Sequence, residues 1–226
     1  MRPAPDLPSA ALLPFLAVTF AIPWMLLGLF LLDPWGVTRW IGEPSGSHPL
    51  FVLSVWAPAI AAILVVARHA GGSGVRRFLG RLRMWRAPWG WWAFLLLGMP
   101  AVFFGGALLR GGVEAAALPR MGLGEFVALA AFMLVLGPVE ELGWRGVALP
   151  ILQRRGSPLV AGLAVGAVWA LWHLPAFLLQ GTVQSGWSYT PFVAGTIAAS
   201  VLMTGFVNAA GGSILVAVLF HFQMNN

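Results

Sequence analysis

The chain has 226 residues, 59% of them hydrophobic and 9% charged, with a formal net charge of +6 and no cysteine. So little charge excludes an ordinary soluble domain, in which about a quarter of residues are charged, and the missing cysteines exclude disulfides, thiolate metal ligands and a cysteine nucleophile. The positive balance does not point to nucleic acid as a partner, because the basic residues are scattered through loops between apolar runs instead of gathering on one face.

All thirteen basic residues are arginines. With Ala, Gly and Pro also abundant, the absence of lysine suggests a GC-rich, bacterial genome. The composition reads as all-α: a polytopic transmembrane helical bundle, one integral membrane domain over residues 1–226, in contact with the lipid bilayer of the cytoplasmic (inner) membrane. A helix crossing the ~30 Å hydrocarbon core needs about 20 apolar residues, and seven runs approach that length, at about 11–32, 50–68, 91–109, 125–153, 158–179, 191–210 and 213–226.

The first run is longer than a usual signal-peptide core, and "MRPAPDLPSA" before it carries one Arg and one Asp, so it is retained as a span. The loop after the second run holds Arg68, Arg76, Arg77, Arg81, Arg83 and Arg86 and no acid. By the positive-inside bias this loop is cytoplasmic. Alternation then places the 33–49 loop outside, with Asp33 and Glu43 against Arg39, and returns Arg154 and Arg155 to the inside. Trp85, Trp89, Trp91 and Trp92 read as interfacial anchors. The "GG" pairs fall at span ends and read as loops or helix breaks, and the small residues of "GGALLRGG" are too common in membrane helices to carry function. The seventh run is too short to cross unaided, so the bundle has seven spans, or eight if the chain is a truncated product.

The fourth run contains "GPVEELGWRG", residues 137–146, with three charges in an apolar setting. Glu141 and Arg145 are four apart and share a helical face, so they are expected to pair; Glu140 lies about 100° round the helix and points elsewhere. The bland alternative is a structural Glu-Arg pair with a spare protonated glutamate. The fourth and fifth runs form a hairpin about Gly156, with Glu140 16 residues before it and His173 17 after it. Both therefore climb to about 24 Å above the turn. Pro138 and Pro175 loosen both helices at that level, as happens where a cavity is lined.

Beyond Arg155 no further Asp, Glu, Lys or Arg occurs, so His173 and His221 stand isolated in apolar sequence. Polar groups inside a span cost roughly 2–3 kcal/mol or more and usually have a partner or a task, although each histidine alone also reads as a packing residue bonded to a backbone carbonyl. His221 and Asn225 are four apart on one face, about 12 and 18 Å above the "NAAGGS" break.

These residues resemble the CPBP intramembrane proteases, which include the CAAX prenyl endopeptidases and the bacterial Abi-type proteins of bacteriocin processing and self-immunity. Glu140, Glu141 and Arg145 match EExxxR, Trp169 and His173 match aromatic-xxx-His, where the family commonly has Phe first, and His221 and Asn225 match HxxxN. The motif-bearing half is about residues 125–226. The resemblance implies an intramembrane endopeptidase acting on a peptide or membrane-protein substrate, and peptide hydrolysis requires an activated water and an oxyanion site. Glu140 is then the general base, His173 shares the water or donates to the leaving amine, His221 and Asn225 supply N–H groups to the oxyanion, and Glu141 with Arg145 stabilises the kinked helix. No Ser-His-Asp set can be assembled, since Asp6 and Asp33 flank the first span. Family members are commonly called metalloproteases, and Glu140, His173 and His221 make a two-His, one-carboxylate set of the zinc-binding kind; glutamate-activated water without metal is the preferred expectation, because it uses all four polar side chains. A non-enzymatic immunity or scaffold protein of the same fold, and a small-solute or proton-coupled transporter, are the rival readings; the transporter is disfavoured because the charged motifs fall in one half.

Overall fold

The computed structural model describes residues 7–43, 45–109 and 122–225. The start of "MRPAPDLPSA" and the second glycine pair of "GGALLRGG" lie outside the described residues. Every regular element among the described residues is helical, as apolar segments in lipid require, since the helix alone satisfies its backbone without water. Among these residues six helices are long and apolar enough to cross a membrane: α1 (Ser9–Leu32), α2 (Pro49–Arg83), α3 (Trp89–Leu109), α4 (Leu123–Gln153), α5 (Pro158–Leu178) and α6 (Tyr189–Ala209). The seventh apolar run is a shorter helix, α7 (Ile214–Met224).

Local sequence sets the helix starts. Pro49 and Pro158 occupy first helical positions, where no amide is needed, and His48, Ser157 and Ser213 cap α2, α5 and α7 by accepting from Leu50, Val160 and Val216. Two glycine pairs mark breaks as expected: Gly71 has φ 63° within α2, and Gly211 and Gly212 (65° and 89°) turn the chain between α6 and α7. Gly105 and Gly106, by contrast, lie inside α3. The arginine-rich segment is largely helix and not loop, because α2 resumes after Gly71 and runs on to Arg83.

The closest packing joins α5 to α6. A Cβ on Gly166 would come within 2.7 Å of the Ile197 Cα, and one on Gly162 within 2.9 Å of Thr204 Oγ1, so the small-xxx-small pair lets the two backbones meet. Ser200 Oγ donates across this seam to the Gly162 carbonyl at 2.8 Å. Of the four tryptophans read as anchors, Trp85 and Trp89 are exposed, whereas Trp91 stacks on the fully buried Phe206 at 5.2 Å and Trp92 meets the same ring edge-on.

Helix α4 is divided at Gly137. Its first part, Leu123–Leu136, has no buried residue, whereas Glu140 through Leu149 are all buried. The second part begins with a 3-10 turn, Pro138–Glu140, and contains a π turn, Trp144–Ala148. Irregular turns of this kind occur where a helix serves a site.

Candidate active site

Pro138 removes a backbone donor and tightens the chain into the 3-10 turn that ends at Glu140. The next residues resume the helix, so adjacent glutamates face different partners. Trp169 on α5 donates its indole N–H to Glu140 Oε2 at 2.7 Å. Glu141 instead accepts from Arg145 Nη1 (3.0 Å) and from His221 Nδ1 (2.8 Å), both at Oε1. Glu141 and Arg145 have no solvent exposure, and Glu140 and His221 are 3% exposed. The expected Glu141–Arg145 pair is present. His221 as its third member was not expected, because the rotation of α7 relative to α4 has no signature in either sequence.

Trp169 is more than packing. Besides the bond to Glu140, its ring lies 4.6 Å beneath the Arg145 guanidinium and 5.2 Å from the His221 ring. The signal available in sequence was the indole N–H itself, a donor that needs a partner when buried.

His173 ends the regular part of α5, where Pro175 follows. Its Nδ1 lies 2.9 Å from the Trp169 carbonyl. A carbonyl only accepts, so Nδ1 carries a proton, and in the neutral tautomer this leaves the lone pair on Nε2. His173 also packs edge-on against Trp172 (4.8 Å) and Phe192 (5.0 Å).

Glu140, His173, His221 and Asn225 line one cavity of about 650 Å³. Asn225, at the end of α7, is the exposed member. The remaining wall is mainly apolar, with Phe51, Phe132, Trp172 and Phe192 among it. Gly137 sits where the wall turns: a Cβ there would overlap the Asn225 Nδ2 and come 3.5 Å from the His221 Nε2. Thus both polar tips of the HxxxN pair crowd the glycine that precedes the Glu140 turn, a role for Gly137 that its place among many apolar-run glycines concealed. Arg81, read in sequence as one more solvated arginine, is 2% exposed and donates to the carbonyls of Gly212 (2.7 Å), Gly146 (2.9 Å) and Arg145 (3.2 Å).

Residues 122–226 match the family model described as "Type II CAAX prenyl endopeptidase Rce1-like". A protein of Methanococcus maripaludis, "CAAX prenyl protease 2", is 28% identical over 207 residues, covering 80% of this chain and 72% of the relative. Both matches are to CAAX-type prenyl endopeptidases, and the chain is similar to the CAAX/CPBP intramembrane proteases. Together with six helices of span length, this similarity supports a multi-pass membrane protein of an intramembrane endopeptidase class, and the residues matched by the family model include all six of the site positions taken from the sequence.

A zinc ion would need Glu140, His173 and His221 to converge on one point. Among the described residues no group of three His, Asp or Glu side chains is disposed to hold a metal ion. Glu140, His173 and His221 share the cavity without converging on one point; Trp169 holds one oxygen of Glu140, and Glu141 holds His221 by Nδ1.

Proposed function

We propose that the chain hydrolyses a peptide bond of a membrane-associated protein or peptide, in the bacterial cytoplasmic membrane, with Glu140 as the base that activates water. The observation that carries this reading is the meeting of Glu140, His173, His221 and Asn225, from three helices, in one apolar cavity. Trp169 holds Oε2 of Glu140, which leaves Oε1 to take a proton from water. His173, with its lone pair on Nε2, accepts the water's second hydrogen and orients it. The oxygen attacks the scissile carbonyl carbon, and the amide C–N bond breaks as the proton held by Glu140 passes to the departing nitrogen. Asn225 Nδ2 is the neutral donor available to the oxyanion. Glu141 fixes the His221 ring and neutralises Arg145, so the ion pair supports the wall without entering the reaction.

No step here passes through a metal. The relative's name makes a prenylated C-terminal peptide one substrate to try. The test incubates purified protein in detergent with a membrane-peptide library that includes such a peptide, reads products by mass spectrometry, and runs Glu140→Gln beside it. Specific cleavage lost in the variant supports the reading; binding without cleavage returns the chain to the immunity or scaffold class.

A further inference from the structure

The cavity opens at one end of the bundle. Its rim is formed by Gly46, between α1 and α2, by Gln184 and Trp187, between α5 and α6, and by the exposed Asn225. At the other end the buried Arg81 ties the α7 start to the π turn of α4 through three carbonyls. Phe78, Trp144 and Ile214, all at 0% exposure, fill the space between this tie and the site. Water therefore reaches Glu140 from the rim end and not past the Arg81 tie.

Charge says which compartment that is. Arg68, Arg76, Arg77, Arg83 and Arg86 are exposed toward the Arg81 end with no acid among them, and exposed Arg154 and Arg155 join them at the α4–α5 turn. Opposite, the loop carrying Gly46 has Asp33 and Glu43 against Arg39. The positive-inside bias puts the arginine end in the cytoplasm, and Glu140, about 24 Å above the α4–α5 turn, in the outer half of a ~30 Å core.

The geometry points to a substrate presented from the extracytoplasmic side: an uncharged, apolar stretch of a secreted or outer-leaflet-anchored protein, entering between the α1–α2 and α5–α6 loops. Among the described residues Glu140 is the sole carboxylate on the cavity wall and no Arg, Lys or Asp lines it, so a charged segment would be desolvated without a partner there. This inference rests on the cavity being the reaction site, and it separates the chain from proteases that meet their substrates in the cytoplasm.

The native chain lacks cysteine, so single cysteines report access directly. Ala176→Cys changes a small residue on the cavity wall; Ser47→Cys and Ser73→Cys mark the two ends. With a membrane-impermeant maleimide, Ala176→Cys is expected to label in spheroplasts together with Ser47→Cys, and to lose that labelling in inverted vesicles, where Ser73→Cys gains it. Labelling of Ala176→Cys with Ser73→Cys from the cytoplasmic side overturns the proposal, as does labelling from neither side. Gln184→Cys, on the rim, gives the same decision if the Ala176 variant fails to fold. Because labelling needs no catalysis, the pattern persists in a Glu140→Gln background, so failure of the protease reading and failure of the outward mouth are seen separately.

Discussion

The indole N–H of Trp169 points at Glu140 Oε2, 2.7 Å away, while the same ring carries the Arg145 guanidinium on its face. One side chain thus holds the proposed base and shields the nearest cation from it. Hydrogen bonds to charged groups contribute about 1.5–3 kcal/mol. Trp169→Phe keeps the ring and removes the N–H, so kcat should fall roughly ten- to a hundredfold with the thermal midpoint little changed. Trp169→Ala should lose stability as well. Steady-state kinetics and thermal unfolding on the same preparations decide; an unchanged kcat in the Phe variant would remove Trp169 from the chemistry.

The two glutamates should separate cleanly. Glu140→Gln leaves an amide oxygen able to accept from Trp169, so cleavage is abolished while stability moves by less than about 1 kcal/mol. Glu141→Gln strands Arg145 and releases His221, and breaking a buried pair in this way costs about 3–5 kcal/mol. Equal losses of stability in both variants would make the pair of acids structural.

Two glycines give a second contrast. A Cβ at Gly143 would meet the Pro58 carbonyl oxygen at 2.7 Å and the Pro58 Cβ at 2.6 Å, neither of which can move without shifting α2. Gly143→Ala should therefore lower stability by roughly 1–3 kcal/mol, the usual cost of overpacking. A Cβ at Gly137 meets instead the end of the Asn225 side chain, which swings away. Gly137→Ala should keep the fold and lose activity. Thermal unfolding beside cleavage assays reads both; a stable, fully active Gly137→Ala would show that the position of Asn225 is immaterial.

Metal dependence has its own measurement. With Glu140, His173 and His221 not converging on one point among the described residues, active protein stripped by a strong chelator should keep its activity at negligible metal content by elemental analysis. Zinc that leaves in stoichiometric amount together with activity, and restores it on return, would replace the mechanism.

What was legible in sequence followed from spacing along single helices. The four-residue step fixes Glu141 against Arg145, and equal counts from Gly156 put Glu140 and His173 on one cavity. Relations between helices were not legible. His221 finding Glu141 depends on how α7 is rotated against α4, and neither helix encodes that alone. Trp169 was visible only as the aromatic of the aromatic-xxx-His pattern, and its bond to Glu140 was not, since an aromatic in a span usually packs. Arg81 was hidden among exposed arginines of the same segment. The segment's helicity was missed because "HAGGSG" reads as a break; Gly71 does break α2, and the helix then resumes.

Glu141 and His221 are 80 positions apart in the chain. At about 5–20 residues per second that distance is roughly 4–16 s of synthesis. During the interval Arg145 already has its carboxylate, so α4 rests in the membrane without an orphan charge, while half of the cavity's polar wall has yet to leave the ribosome. Helix α7, which carries His221, enters against a bundle already standing. A site closed in this order lacks His221 and Asn225 beside the translocon, where its own unfinished spans and those of its neighbours are the nearest apolar peptides.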